Sequence, residues 1–429
     1  MNGVDLRIEN AKVLYRGNLI RVDIMIEDGK IAEISKKPSI SQADQNIDLK
    51  GALLLPGVID AHVHFRDPGL THKEDFSTGS MAAAGGGVTT ICDMPNTLPL
   101  TDSMEAFNEK VRIGERKSHV DFALHAALPQ EIDEGVKLAK AGAASFKLYP
   151  ELREDFSISD FQEVSPTISI HPEDPRILEE FENTQDFAES RPIRAEISEI
   201  SRVLDLAPNT HLHFCHTTAL ESIKLITKAR KSRKITCEAT PHHLLLNTSH
   251  LQELGPIAKT NPPLRSEENR LALLSTLREG SIDMIATDHA PHTREEKERG
   301  MEESPPGIAG VETSLPLLFT LVRRGKLSLS RMVESMCIKP ARVFGLKNER
   351  GILKNALIPE ADADFVAIDQ HVKWKIKGEK LHGKTKSTPF EGWKVVGKPF
   401  LTIVRGETVF KEGEVIGKEG YGRFIPRKT

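Results

Sequence analysis

Eight short apolar runs recur through the middle of the chain, and helical patterns separate most of them. They lie at 53–65, 88–95, 120–128, 143–149, 167–171, 210–216, 235–240 and 283–288. Short apolar runs bounded by turn residues read as strands buried on both faces, as parallel strands are. Between them, stretches such as 131–141 and 219–229 space their apolar residues three and four apart, as amphipathic helices do. Repeated strand–helix alternation puts helices outside a parallel sheet. Eight such units over roughly 240–300 residues predict a closed (β/α)8 barrel rather than an open sheet.

The two ends of the chain have another texture. Residues 1–52 carry short alternating segments, with Asp28-Gly29 between two of them, a strong hairpin signal. Alternating segments return around 365–369 and 400–413. The expectation is an α/β protein in two parts. One is a small β-sandwich domain built from 1–52 and 351–429; the other is the barrel over 53–350. Residues 293–310 are charged, loop-like and long for a compact domain, which makes them a lid candidate.

A formal net charge of -4 gives no electrostatic case for nucleic acid or an anionic membrane. No apolar run approaches the ~20 residues that span a bilayer, and the first residues lack the apolar core of a signal peptide. Cys92, Cys215, Cys237 and Cys337 are sparse and mostly lie in apolar runs, which suits reduced thiols in a cytoplasm.

In a barrel of this type the chemistry sits at the C-terminal ends of the strands. The first run ends in Asp60-Ala-His-Val-His-Phe-Arg66. Side chains alternate along a strand, so His62, His64 and Arg66 share a face. Two imidazoles so placed can grip one metal, and the arginine beside them can hold an anion bidentately. Later runs end near Lys147, His171, His216 and Asp288. Each has a bland reading singly: a snorkelling lysine, a core histidine, a helix cap. Together at one rim they read as a metal site.

An ammonium cannot ligate a metal, so Lys147 needs a different account. Burial can free a lysine amine of its proton, and a neutral amine adds carbon dioxide to give a carbamate with two oxygens. Such a group can bridge two metals, one held by His62, His64 and Asp288, the other by His171 and His216. Water shared by two such ions is hydroxide near neutral pH.

The pattern His62-Val-His-Phe-Arg-Asp-Pro-Gly69, with Asp93-Met-Pro-Asn-Thr97, Phe146-Lys-Leu-Tyr149, Asn261-Pro-Pro-Leu-Arg265 and Asp288-His-Ala-Pro-His292, resembles the dihydroorotases of the amidohydrolase superfamily. The resemblance covers nearly the whole chain. It implies reversible cyclisation of N-carbamoyl-L-aspartate to L-dihydroorotate in pyrimidine synthesis. It further implies two zinc ions per subunit, a bridging hydroxide and an N6-carboxylated Lys147. By resemblance Asp288 is the proton-transferring catalytic residue, and Arg66, Asn96 and His292 bind the substrate carboxylate. Asn261 and the backbone at Pro306 and Gly307 hold the ring amides. Some relatives bind a third zinc at positions like Cys215 and Glu238. The resemblance also implies a homodimer and leaves room for a complex with aspartate transcarbamoylase.

His242 and His243 are expected as packing residues, and His289 as a support for Asp288. His171 departs from many relatives in preceding a proline, Pro172; this biases it to extended backbone, compatible with a strand end. Allantoinase, hydantoinase and dihydropyrimidinase share the metal ligands. The carboxylate clamp of Arg66 and Asn96 weighs against a dihydropyrimidinase, which needs none. A non-catalytic scaffold for transcarbamoylase is disfavoured because every ligand candidate is present.

Overall fold

The computed structural model describes residues 4–37, 43–150, 161, 164, 167–207 and 209–428. Its first architectural unit is a nine-stranded sheet that draws on both ends of the chain. Strand Leu53–Pro56 joins the two contributions. It pairs antiparallel with Phe365–Lys375 on one side and parallel with Val4–Tyr15 on the other. Outward from these lie Asn18–Glu27 and Lys30–Ser35 at one end, and Lys394–Val404 and Glu407–Lys411 at the other. The Asp28-Gly29 hairpin forms as expected. Both residues have positive φ, 49° and 71°, the twist that a two-residue turn between right-twisted strands requires.

The apolar run expected as one strand over 53–65 is in fact two. Leu53–Pro56 belongs to the nine-stranded sheet, while Val58–Val63 starts the barrel. The switch falls at Gly57, where a Cβ would lie 2.1 Å from Thr89 Oγ1. Only glycine lets the backbone pass there.

Among the described residues the barrel strands are Val58–Val63, Val88–Asp93, Asp121–Leu124 continued by Ala126–Ala127, Phe146–Leu148, Ile168–Ile170, Leu212–Phe214, Ile235–Ala239 and Met284–Ile285. Every registered pair between them is parallel. The last strand meets the first through a parallel bridge, His289 to Val63, with the His64 amide donating to the His289 carbonyl at 2.8 Å. Buried Asp60 secures the same seam, accepting from the Thr287 amide at 3.0 Å and the Thr287 hydroxyl at 2.6 Å. The expected helices appear as Ile132–Lys140 and Leu220–Ala229.

The main apolar core lies between strands and helices, around Phe65, Phe76, Phe122, Phe146 and Phe214. A second cluster gathers the small side chains Ala61, Cys92, Ala123 and Ala286 with Phe344 and Leu346. A charged network ties barrel to sheet. Lys354 Nζ, fully buried, lies 2.7, 2.9 and 2.6 Å from carboxylate oxygens of Asp121, Asp362 and Asp364. Asp121 opens a barrel strand, and Asp364 accepts from the Arg405 amide at the end of a sheet strand.

Candidate functional site

One cavity of about 260 Å³ opens at the C-terminal rim of the barrel. His62, His64, Arg66, Asn96, Lys147, His171, His216, Asn261, Asp288, His292, Pro306 and Gly307 all line it. The residues singled out in sequence are thus brought together, apart from Cys215 and Glu238, which lie outside this lining. Three of the gathered residues sit in left-handed backbone, Arg66 at φ 62°, His216 at 30° and Asp288 at 48°. Outside turns such backbone costs non-glycine residues roughly 1–3 kcal/mol each, and it clusters at functional sites.

His62 and His64 project together from the first strand because they are two residues apart. Their Nε2 atoms approach the same Asp288 oxygen at 3.2 and 3.0 Å. Across the cavity His171 Nδ1 lies 3.1 Å from His216 Nε2, and His216 Nδ1 has no partner. Lys147 Nζ, buried between these groups, contacts Cys215 Sγ at 2.9 Å. Imidazole nitrogens and a carboxylate that converge in this way suit a divalent cation.

The electrostatics agree with that donor set. Burial pushes His64 down to about 4 and His216 well below its ordinary range, so both are neutral and free to ligate. Burial also opposes charge on His62, yet Glu238 and Asp288 raise it to about 10. Positive charge is therefore favoured where His62 and Asp288 meet. Asp288 stays ionised despite burial, because His62 and His64 hold its carboxyl below the usual range.

Glu238 spends both oxygens on its neighbours. It lies 2.5 Å from His62 Nδ1 and 3.0 Å from His213 Nε2, and it accepts from the His216 amide at 3.3 Å. A carboxylate on the far nitrogen of a ligating histidine fixes its tautomer and ring orientation. The Cys215, Glu238 and His62 donor atoms also lie within 4.8 Å of one another.

The other end of the cavity is cationic. Arg66 is 8% exposed, its Nε has no partner, and among the described residues no carboxylate lies within ion-pair distance of it. Its Nη2 stands 3.3 Å from His292 Nε2. Asn96 Oδ1 is 2.6 Å from His64 Nδ1, so this side chain also orients a candidate ligand. Asn261 Oδ1 is buried without a partner. Gly307 has φ 147°, and a Cβ there would meet the Ala290 carbonyl at 2.2 Å; the wall requires glycine.

His243 is a packing residue, bonded to Thr240 Oγ1 and the Pro262 carbonyl, while buried His242 keeps Nε2 unpartnered. His289 makes its side-chain hydrogen bonds with the chain at and just beyond the end of the lid-candidate stretch. Its Nδ1 accepts from the Gly310 amide at 3.1 Å, tying the barrel seam to the end of the 293–310 stretch. That stretch contains two single-turn helices, Arg294–Lys297 and Gly300–Glu303. Lys297 anchors it by donating to the Pro256 and Pro305 carbonyls.

Sequence reasoning passed over three contributors. Glu173 lies 2.8 Å from His171 Nε2 and bonds Arg191; its spacing of two residues from His171 is the signal that could have found it. The Tyr149 hydroxyl is buried at the cavity without a partner. Lys73 reaches His292 from behind at 3.2 Å.

Comparison with known proteins follows the same lines. The sequence profile of the Amidohydrolase family matches residues 53–409. The chain is 41% identical to a dihydroorotase of Methanothermobacter thermautotrophicus, over 98% of this chain and 97% of that one. It is 39% identical to a dihydroorotase of Staphylococcus epidermidis, over 94% and 99%. Among solved structures, an L-hydantoinase (dihydropyrimidinase) from Arthrobacter aurescens superposes with TM-score 0.93 at 34% identity, covering 99% of this chain and 100% of that one. A dihydropyrimidinase from Brevibacillus agri gives 0.90 at 26% identity, covering 99% and 98%. These neighbours share the barrel and the accompanying β-sandwich domain.

Proposed function

The chain belongs to the amidohydrolase family, and on that premise we propose that it is a dihydroorotase, interconverting N-carbamoyl-L-aspartate and L-dihydroorotate in pyrimidine synthesis. Near-full-length relatives of that name support the activity. The observation that carries the substrate is Arg66. A guanidinium 8% exposed, without a carboxylate partner among the described residues, is costly to bury. It faces the cavity beside the candidate metal ligands, so its counter-charge is the substrate's own carboxylate. A hydantoin or a dihydropyrimidine lacking that group would leave the charge uncompensated.

His62, His64 and Asp288 would hold one zinc ion and His171 and His216 the other, with Lys147 between them as a carbamate. An ammonium there would be repelled by two divalent cations, whereas a carbamate is attracted. When bound, the zinc pair would supply a hydroxide nucleophile at neutral pH and Lewis acidity toward the amide carbonyl. Asp288 takes the nucleophile's proton and passes it to the departing ring nitrogen. Arg66, Asn96 and His292 hold the carboxylate at the opposite end. The unpartnered Asn261 Oδ1 accepts from a ring N–H, and the Pro306–Gly307 backbone closes over the ring. Glu238 orients His62 through one oxygen and His213 through the other. Four buried, unbridged cysteines support a reducing, cytoplasmic setting.

The test is turnover of L-dihydroorotate, allantoin and dihydrouracil by metal-replete protein. Chelator-sensitive hydrolysis of dihydroorotate alone is expected. Preference for dihydrouracil or allantoin would keep barrel and metals but overturn the reading of Arg66.

A further inference from the structure

His292 is contacted on both ring nitrogens, and the closer contact at each, Lys73 at Nδ1 and the Pro306 carbonyl at Nε2, favours one tautomer. Lys73 Nζ lies 3.2 Å from Nδ1. An ammonium has donors only, so Nδ1 must accept. Nε2 lies 3.0 Å from the Pro306 carbonyl oxygen, which only accepts, so Nε2 must carry the proton. Arg66 Nη2, 3.3 Å from the same Nε2, can also only donate, so without an anion two donors face each other there. Two N–H groups side by side in one cavity make a receptor that a carboxylate can bridge.

A competitor stands close by. Glu296 Oε2 is 3.5 Å from His292 Nδ1 and would draw a proton onto that nitrogen. Lys73 prevents this by pairing with the other Glu296 oxygen at 2.8 Å while donating to Nδ1. Burial, helped by the charges of Arg66 and Lys73, holds His292 well below its ordinary range, in keeping with a neutral ring. Lys73 itself lines the neighbouring groove rather than the substrate cavity; it works from behind the ring.

We infer that Lys73 is a positioning residue for substrate recognition, fixing His292 in the Nε2–H tautomer that, with Arg66, binds the substrate carboxylate. The inference rests on the dihydroorotase reading above. Without Lys73, Glu296 would pull the proton to Nδ1. Nε2 would then present a lone pair to the incoming carboxylate, and attraction would become repulsion.

Metal-replete enzyme and L-dihydroorotate provide the test. Lys73→Met is expected to raise KM about tenfold or more with kcat within about twofold, the pattern of lost substrate binding. Lys73→Arg keeps a donor and should return KM to within about threefold of wild type. Adding Glu296→Gln to Lys73→Met should also lower KM again, because it removes the carboxylate charge that would draw the proton to Nδ1. His292→Ala, measured in parallel, separates the two readings. If it leaves KM unchanged, the carboxylate-binding role of His292 fails and the inference with it. If it raises KM while Lys73→Met does not, the Lys73 inference alone is overturned. Nitrogen NMR of histidine-labelled wild-type holoenzyme decides independently of any variant's folding. The proton is expected on Nε2 of His292, and a proton on Nδ1 would refute the inference.

Discussion

Replacing Arg66 by methionine should make the protein a worse enzyme and a more stable one. The side chain keeps most of its length and loses its charge. Truncating one member of a desolvated charge pair costs about 2–5 kcal/mol of binding, which is roughly 30- to 4,000-fold at 1.4 kcal/mol per decade. The upper half of that range is expected, because Arg66 is only 8% exposed and faces the cavity with an unpartnered Nε. The loss should appear mainly in KM, since the carboxylate is bound alike in ground and transition states. In the ligand-free protein the sign reverses. Removing a buried cation that has no carboxylate within ion-pair distance among the described residues should stabilise by about 1–2 kcal/mol, on the order of 1–2 °C in Tm. Steady-state kinetics on L-dihydroorotate and thermal unfolding without substrate measure the two effects. A KM within about threefold of wild type, or a Tm lowered by several degrees, would refute the argument that Arg66 awaits an anion.

Glu238→Gln should weaken metal retention about 10- to 100-fold, the usual cost of losing an orienting carboxylate, as read by chelator competition; unaltered retention would remove Glu238 from the support of His62. Lys354→Met leaves three buried carboxylates facing one another and should destabilise by about 3–5 kcal/mol, seen in denaturant unfolding and partly relieved by adding Asp362→Asn. Glu173 is opposed by burial but held down to about 2 by Arg191 and His171. Its folded value lies below the unfolded one, so its stabilisation is full above the ordinary glutamate range and is lost as pH falls toward about 2. Glu173→Gln should therefore flatten the acid limb of a stability–pH curve across that window, and an unchanged limb would count against the Glu173 network.

Much of this architecture is written locally. Each barrel strand is a short apolar run, and residues that finish those runs, from His62 to Asp288, arrive at one rim because parallel strands all point the same way. The Asp28-Gly29 turn is likewise legible, since few other dipeptides supply two positive φ values cheaply. What stayed hidden depends on partners far away in the chain. The run from Leu53 to Val63 is continuously apolar, and nothing in it reveals that Leu53–Pro56 pairs with Phe365–Lys375 while Val58–Val63 enters the barrel. Only the close approach of Gly57 to Thr89 shows why the chain changes sheets there. Lys73 and Glu296 read as ordinary surface charges, although 223 positions apart they meet at 2.8 Å beside His292. Glu238 could be listed in sequence as a metal ligand candidate, but its engagement with His62 and His213 appears only in three dimensions.

A crystal structure of the metal-loaded protein with L-dihydroorotate bound would show whether these residues hold metal and substrate together. Two zinc ions are expected on His62, His64, His171, His216 and Asp288, with a carbamate at Lys147 and the substrate carboxylate bridging Arg66 and His292 beside Asn96. A substrate lying with its carboxylate away from Arg66, or a site that takes no metal at these histidines, would contradict this arrangement.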